Sequence, residues 1–397
     1  MSFENTRFVS KEYFSQLPET RKPRNGDLLF TVTGSYGIPV LVDSDDRFCF
    51  QRHIAIVRPC IISNRYLYVV LGSSYVKSIC DAKATGTAQK TVGLATLREL
   101  LIPVAPYREQ MQIYAQTQDA LSIVDSVSSD KEDLLNIIEN AKAKILDLAI
   151  RGQLVPQDPN DEPASVLLER IRAEKEDLIR QGKIKRDKKE SVIFRGEDNS
   201  YYLNDGTSTI DISEELPFDI PDSWCWGRLK DIVMINPRNK LNDDTMVAFI
   251  PMPLIEDGYS GRHTSGVRKW KEVKTGFTHF QEGDVGVAKI TPCFENRKSA
   301  IFENLCNGFG AGTTELHVFR PYNGTILPRY LLAYMKSAQF VENGKQTFSG
   351  AVGQQRLSKE YVENAYLPIP PMEEQKRIVH QLGIVFKHLN SISDSLS

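Results

Sequence analysis

The chain has 397 residues, of which 41% are hydrophobic and 25% charged, and these values are ordinary for a folded globular protein of two or three domains. A formal net charge of −2 argues against a protein that coats nucleic acid without sequence preference. Local basic surfaces are still compatible with this net charge. The sequence contains no apolar run near the roughly 20 residues that span a bilayer and no signal-peptide pattern. Six widely spaced cysteines without a Cys-x-x-Cys pair favour a reducing compartment without a zinc site. We therefore expect a cytoplasmic protein without a membrane segment.

Short β-type runs separated by turn residues characterise residues 1–106, which we assign to a first domain. A Gly/Ser-rich loop at 33–37 separates the first two runs, and residues 66–79 are predicted to form a helix. This mixture predicts an α+β fold. The segments predicted to be extended are 28–32, 38–42, 53–57 and 100–104.

The second half of the chain repeats the order of motifs in the first. Gly26-Asp27 and Gly283-Asp284 each begin a predicted strand. Proline-rich segments at 103–106 and 368–371 lie about 265 residues apart, and each is soon followed by Glu-Gln. Solenoid repeats have periods of only about 20–50 residues, so this spacing indicates two copies of one domain.

A helical pattern follows each copy, over residues 107–151 and 372–397, with apolar residues every three or four positions. At about 1.5 Å per residue the first helix would be roughly 65 Å long, too long for one compact domain to cover. We expect the two helices to form an antiparallel coiled coil that acts as a spacer, so that a longer or shorter coil changes the distance between two binding sites. The alternative is two amphipathic helices that pack separately on their own domains.

Two further segments complete the predicted organisation: a polar connector with a short helix at 152–216 and a second domain at 217–371. The basic run at 183–189 is interpreted as a solvated linker. The second domain opens with Trp224-Cys225-Trp226, which has no counterpart in the first copy. The first domain is therefore predicted to be incomplete as a fold.

Catalytic signatures are poor, because the sequence lacks a phosphate-binding loop, a dinucleotide fingerprint, a His-Glu-x-x-His motif and a nucleophile elbow. The segment Asn236-Pro237-Arg238-Asn239 begins like an amino-methyltransferase motif but lacks its second proline and its aromatic residue. His53 and His317 lie in predicted strands and are interpreted as structural. We expect no enzymatic activity and propose no catalytic or metal-binding residue.

Polar loops that recur in both copies are the candidate binding sites. Gly353-Gln354-Gln355-Arg356 matches Ala88-Gln89-Lys90, and a second polar loop covers 289–298. Arg, Asn and Gln make bidentate contacts to base edges, whereas Lys, Ser and Thr contact phosphates. For any single polar residue, a solvated surface loop is as good an explanation as a DNA contact. The DNA-binding hypothesis therefore depends on the occurrence of matching loops in both copies. The candidate DNA-contacting residues are Ser35, Tyr36, Arg47, Arg52, Gln89, Lys90, Arg262, Arg268, Lys269, Lys289, Thr291, Asn296, Arg297, Lys298, Gln354, Gln355 and Arg356.

Over nearly its full length the chain resembles the specificity (S) subunit of type I restriction–modification systems. Each matching segment is weak alone, and the resemblance rests on their order, their duplication and their attachment to two helices. The segments are 26–31 with 33–39, 145–157, 221–224, 289–296, and 367–371 with 373–375.

The resemblance implies two target-recognition domains of mixed β-sheet and helices, separated by the long helices, that bind a bipartite site in double-stranded DNA. It also implies that methyltransferase subunits, which hold S-adenosylmethionine, and restriction/translocase subunits bind this chain, which itself binds no cofactor. The departures from the family at both ends predict that the first domain recognises its half-site poorly unless another chain completes it. The alternatives are a non-catalytic protein-binding scaffold with twin domains on a coiled-coil spacer and, with less support, a self-contained modification enzyme.

Overall fold

A computed structural model describes residues 6–50, 53–87, 89–182, 184, 186, 191–322, 324–351 and 353–396. The chain divides into two compact units, Met1–Glu132 and Asp133–Ser397. Each unit is described by itself.

The first unit contains a three-stranded antiparallel sheet in the order β2-β1-β3, formed by β1 (Leu28–Thr31), β2 (Pro39–Leu41) and β3 (Ile54–Val57). Phe30 and Val76 are fully buried in its core. The single helix predicted over 66–79 is instead two helices, because the side chain of Ser73 accepts a hydrogen bond from the Val76 N–H and starts a new helix there. The helices are α1 (Lys11–Gln16), α2 (Asn64–Leu71), α3 (Ser74–Lys83), α4 (Leu94–Arg98) and the start of α5 (Tyr107–Ile150).

In its described residues, the second unit combines four small sheets with helices. Its strands are β4 (Val192–Arg195), β5 (Tyr201–Asn204), β6 (Thr209–Asp211), β7 (Cys225–Arg228), β8 (Val233–Ile235), β9 (Met246–Ile250), β10 (Gly266–Lys269), β11 (Thr278–Gln281), β12 (Val285–Ala288), β13 (Ser299–Ile301), β14 (Phe309–Gly312), β15 (Leu316–Pro321) and β16 (Tyr366–Ile369). The sheet orders are β4-β5-β6, β10-β9-β14-β11, β13-β12-β15-β8 and β16-β7, and the β9–β14 pair alone is parallel among these described strands. Its helices, besides the end of α5, are α6 (Ala164–Arg180), α7 (Leu229–Ile232), α8 (Trp270–Val273), α9 (Pro328–Lys336), α10 (Ala338–Lys345), α11 (Lys359–Asn364) and α12 (Met372–Leu396). The mixed α+β class is thus confirmed.

The connector is a folded part of the second unit. Leu167 and Ile171, on one face of α6, are buried in the same core as Trp226. Apolar residues at helical spacing need such a partner surface, which explains why α6 packs instead of extending into solvent. The basic run at 183–189 was predicted to be a solvated linker. Only Ile184 and Arg186 of this run are among the described residues, so most of it lies outside the part of the chain that the structure describes.

An aspartate–arginine ion pair occurs at the matching position of both units. In the first unit Asp27, beside β1, accepts from Arg58 at 3.1 Å. In the second unit Asp284, beside β12, is paired with Arg320 at 2.8 Å, and only 1% of the Asp284 side chain is exposed. Each aspartate also accepts a backbone N–H from three residues upstream. The sequence repeat is therefore also a repeat of specific contacts.

A buried glutamine joins each domain to its long helix. Gln110, near the start of α5, accepts from the Ser63 N–H and donates to the Ala105 carbonyl, both at 2.8 Å. Gln375, near the start of α12, accepts from Leu327 N–H at 2.9 Å and donates to the Pro370 carbonyl at 3.1 Å. A buried amide with both ends satisfied fixes the direction in which the helix leaves its domain.

Helix α12 runs antiparallel to the end of α5 within the second unit. Gln157, just beyond α5, contacts Glu374 at the start of α12, whereas Leu146, earlier in α5, lines one groove with Leu382 and Phe386 further along α12. The expected antiparallel association of the two helices is confirmed. In the first unit, by contrast, Val124 of α5 is 58% exposed.

We expect Arg320→Met to destabilise the second unit by about 3 kcal/mol, because the substitution leaves the Asp284 carboxylate buried without its cationic partner. Urea unfolding followed by tryptophan fluorescence measures this, since all three tryptophans lie in the second unit. Arg329→Met is the matched control, because Arg329 pairs with Glu303 at the surface and should contribute less than about 1 kcal/mol. Equal effects of the two substitutions would contradict the structural role of the buried pair.

Candidate nucleic-acid interface

Two loops distant in sequence lie side by side at the end of the central strand of the first unit's sheet. The loop after β1 contains Gly34, whose N–H donates to the carbonyl of Lys90 at 3.0 Å. The neighbouring threonines, Thr33 and Thr91, form an isolated β-bridge, and their hydroxyls lie 3.2 Å apart. These contacts fix the Gln89-Lys90 segment beside the loop.

The second unit repeats this arrangement after β12. The Thr291 N–H donates to the Gln355 carbonyl at 2.9 Å, and the Gln355 N–H donates to the Thr291 hydroxyl at 3.1 Å. Gln354 therefore occupies the position that Gln89 has in the first unit, and both side chains are exposed. The match between these loops, expected from sequence, is also a match of backbone pairing.

Arg356 stabilises this loop pair through contacts within its own domain, although its side chain is partly exposed. Its Nε and one terminal nitrogen each donate to a carboxylate oxygen of Glu315 at 2.9 Å, and these bonds hold the pKa of Glu315 below its ordinary value. Its other terminal nitrogen donates to the Gln354 carbonyl at 3.2 Å, so the guanidinium binds three acceptor atoms of its own domain and orients the loop. Lys289 and Gln354 have no side-chain hydrogen bond to other described residues, so they are better placed to contact a ligand.

The far end of the 289–298 loop is committed to contacts within the domain. Arg297 donates through Nε to the Lys336 carbonyl at 3.1 Å, and Lys298 donates to the Ile255 carbonyl at 2.9 Å. The ammonium of Lys336 in turn donates to the Arg297 carbonyl at 2.9 Å. These cations hold the loop, while Asn296 beside them is exposed.

Three further candidates lie at the surface away from this loop pair. Arg268 and Lys269 belong to β10, an edge strand whose four residues are all exposed. The Arg268 guanidinium lies over the Phe249 ring at 5.6 Å, and Lys269 is 3.4 Å from an Asp244 carboxylate oxygen. Arg262 forms an exposed ion pair of the same kind. Exposed pairs are weak, so a phosphate could replace the acid.

In the first unit Tyr36 has an internal role. Its hydroxyl donates to Asp81 at 2.8 Å, and the Lys77 ammonium lies 4.2 Å from its ring centre. The hydrogen bond to Asp81 raises the pKa of Tyr36. Two other candidates in this unit, Ser35 and Arg47, are exposed. A third candidate, Arg52, lies outside the described residues.

Sequence reasoning missed the acids that hold these cations and hydroxyls. Glu315 follows the Gly-rich loop, and Asp81 lies in a helix, but no local pattern shows that either reaches a loop far away in sequence. The segment set aside as a methyltransferase motif also has a structural role. The Asn236 side chain accepts from the Val318 N–H at 3.0 Å.

Within the described ranges, no group of three or more His, Cys, Asp or Glu side chains is arranged to hold a metal ion. The helices described there include none long and apolar enough to cross a membrane.

The sequence family described as "Type I restriction modification DNA specificity domain" matches residues 221–395. An Escherichia coli protein, the type I restriction enzyme EcoAI specificity subunit, is 45% identical over 289 residues. The chain belongs to the specificity-subunit family of type I restriction–modification systems. This match falls on both the duplicated loop of the second unit and its long helix α12.

The EcoAI and EcoEI specificity subunits are longer than this chain. The EcoAI match covers 72% of this chain and 45% of that subunit. The E. coli EcoEI specificity subunit is 43% identical over 273 residues, covering 68% of this chain and 43% of that subunit. The chain thus spans less than half the length of these relatives.

A solved structure from work on complex assembly and conformational transition of the type I R-M system shares the fold of this family member. The TM-score is 0.61 at 16% identity, and the match covers 96% of this chain and 80% of the solved chain.

His317 lies on β15, close in sequence to Glu315, whose carboxylate accepts hydrogen bonds from Arg356. It is buried, and its Nδ1 is 3.4 Å from the Asn236 side-chain nitrogen. Its Nε2 is buried without a partner among the described residues. Burial lowers the pKa of His317 to about 4.

We expect the second unit to lose stability as pH falls from about 6.5 to about 4. In this window the unfolded chain binds a proton at His317 that the folded protein does not bind, so protonation favours unfolding. His317→Gln should flatten this part of the stability–pH curve, whereas His388→Gln, at an exposed position on α12, should leave it unchanged. Urea unfolding at several pH values measures both, and parallel curves for wild type and His317→Gln would refute the assignment.

Proposed function

We propose that this chain is the non-catalytic, sequence-specific DNA-binding subunit of a type I restriction–modification complex. Each unit would contact one part of a bipartite site in double-stranded DNA. The observation that carries this proposal is the duplicated loop pair, which presents Gln89 and Gln354 at equivalent exposed positions beside the same backbone pairing. A rigid loop with an exposed amide is suited to bidentate contact with adenine.

The internal contacts divide the candidate residues into two roles. Arg356, Arg297 and Lys298 would shape the recognition loop, because their charged groups already bind the protein. Gln354 would contact a base edge, and Lys289 a phosphate. Weakly paired surface cations such as Lys269 would add sequence-independent affinity.

Family membership supports a second part of the proposal, which concerns partners. The matched relatives are named as specificity subunits of type I restriction enzymes. We propose that the long helices bind methyltransferase subunits, which would hold S-adenosylmethionine, and that restriction/translocase subunits join them. The modification and cleavage chemistry would then belong to these partners, in a cytoplasmic complex.

Salt dependence separates this proposal from the scaffold alternative. We expect affinity of the chain, together with its methyltransferase, for duplex DNA to fall linearly on a log–log plot with salt, with a slope of about −0.9 per phosphate contact. Gel shifts between 50 and 300 mM salt, roughly the range over which counterion release is measurable, provide the test. A protein-binding scaffold would give no saturable DNA binding at any of these salt concentrations.

We expect Gln354→Ala to relax base preference at one position of one half-site and to leave the other half-site unchanged. A good bidentate contact contributes about 1–3 kcal/mol of discrimination. Methylome sequencing of cells that express the chain with its methyltransferase reads both halves of the motif. Gln181→Ala, at an exposed position after α6, is the matched control. A motif unchanged by Gln354→Ala would remove this residue from the recognition surface.

A further inference from the structure

A cavity lies between the connector helix α6 and strand β7 of the second unit. Its volume is about 270 Å³, far more than the roughly 10–15 Å³ that a single water molecule needs. Its apolar lining includes Leu168 and Ile171 of α6, Val192 of β4 and Ile232 of α7. Small-molecule sites have this character, because apolar walls bury the body of the ligand while a few polar groups orient it.

Two buried hydrogen-bond donors on one face of β7 line this cavity without an acceptor. Trp226 and Arg228 are two residues apart in the strand, so their side chains leave it on the same side. Trp226 is only 1% exposed, and its indole N–H has no hydrogen-bond partner among the described residues. The buried Nε of Arg228 also lacks a partner there. Buried donors without acceptors are costly, so two on one wall indicate that an acceptor belongs in the cavity.

The carboxylates at the cavity are engaged by other groups of the protein. Glu176 accepts from Arg186 at 2.6 Å. Asp231 accepts from the Ser191 hydroxyl at 2.8 Å, and one of its oxygens lies 4.0 Å from the ammonium of Lys175. Burial raises the pKa of Asp231. Each acid thus has a cation of its own, and neither neutralises the remaining charges at the cavity.

Two arginines at the cavity have no carboxylate partner. Arg172, on α6, is exposed, whereas Arg228 is half-buried, with its guanidinium over the Tyr366 ring at 5.8 Å. Neither arginine forms an ion pair with another described residue. Guanidinium groups bind carboxylates and phosphates through paired N–H donors, so these two side chains favour an anion as the missing acceptor.

We infer that this cavity binds a small organic anion. Its carboxylate or phosphate would lie beside Arg172 and Arg228 and accept from the indole N–H of Trp226, and its apolar body would pack against Ile171. The inference goes beyond DNA recognition and does not rest on it, because the residues of the duplicated loop pair do not line this cavity.

The indole N–H signals of the full chain report directly on the proposed hydrogen bond. Labelling the indole nitrogens gives three such signals by NMR, from Trp224, Trp226 and Trp270. With benzoate as the probe, we expect one signal to move downfield in a saturable way, because a new acceptor deshields the donated proton. Trp226→Phe should remove that signal. No saturable shift, or a shift confined to the other two signals, would overturn the inference.

Arginine variants locate the anion. Arg172→Gln should weaken benzoate binding about tenfold, because it removes a charge-assisted contact. Arg170→Gln is the matched control, since Arg170 lies on the same helix, pairs with Glu162 at the surface and does not line the cavity. Both arginines are exposed, so neither substitution should prevent folding. Equal benzoate affinities of the two variants would refute the assignment.

The choice of probe tests the class of ligand. Benzamide, which has the shape of benzoate without its charge, should bind at least about tenfold more weakly, and equal binding would overturn an anion site. Inorganic phosphate should bind more weakly than phenyl phosphate, and the reverse order would exclude an apolar body. Tighter binding of benzoate or of phenyl phosphate supports the inference in either case and identifies the headgroup. No DNA is present, so these outcomes are independent of the proposed function.

Discussion

A buried glutamine at the start of each long helix is the contact on which the organisation of each unit depends. Its amide oxygen and nitrogen bind backbone groups from two other parts of the same domain. Breaking either bond would leave a polar group buried without a partner, which costs about 1–3 kcal/mol. Gln110 and Gln375 therefore make the exit direction of the helix a property of the domain. The proposed spacer function requires such a fixed junction, because a loose one would not hold a binding site at a defined place.

The described parts of the two units share a framework and differ at the proline-rich segment. Both have the aspartate–arginine pair, the tyrosine that holds the proline-rich segment and the loop pair beside the central strand. The second unit adds Trp224 and β7, which cover the proline-rich segment and bury Glu374. In the first unit the equivalent groove is open. The loop pair and this groove involve different residues of the first unit.

Much of this fold follows from local patterns, and the exceptions have physical causes. Helices α5 and α12 were predictable because their apolar residues recur at helical spacing over a long stretch. The break between α2 and α3 depends on one serine cap, and the packing of α6 depends on a core assembled from distant segments. At the site, Arg356 and Lys298 were reasonable candidates by residue type. The structure gives both internal partners, which spacing along the chain does not reveal.

The sequence by itself determined the duplication, the two helices, the α+β class and the family. Motif order, hydrophobic periodicity and residue type can all be read along the chain without knowledge of its three-dimensional contacts. Only the tertiary structure decided which polar side chains are free at the surface. Gln89 and Gln354 are exposed, whereas Arg297 and Arg356 bind the protein itself. It also decided that residues 101–104 form an open edge while β16 is covered. The physical reason is that a hydrogen bond or a buried surface needs two partners, and these partners lie far apart in the chain.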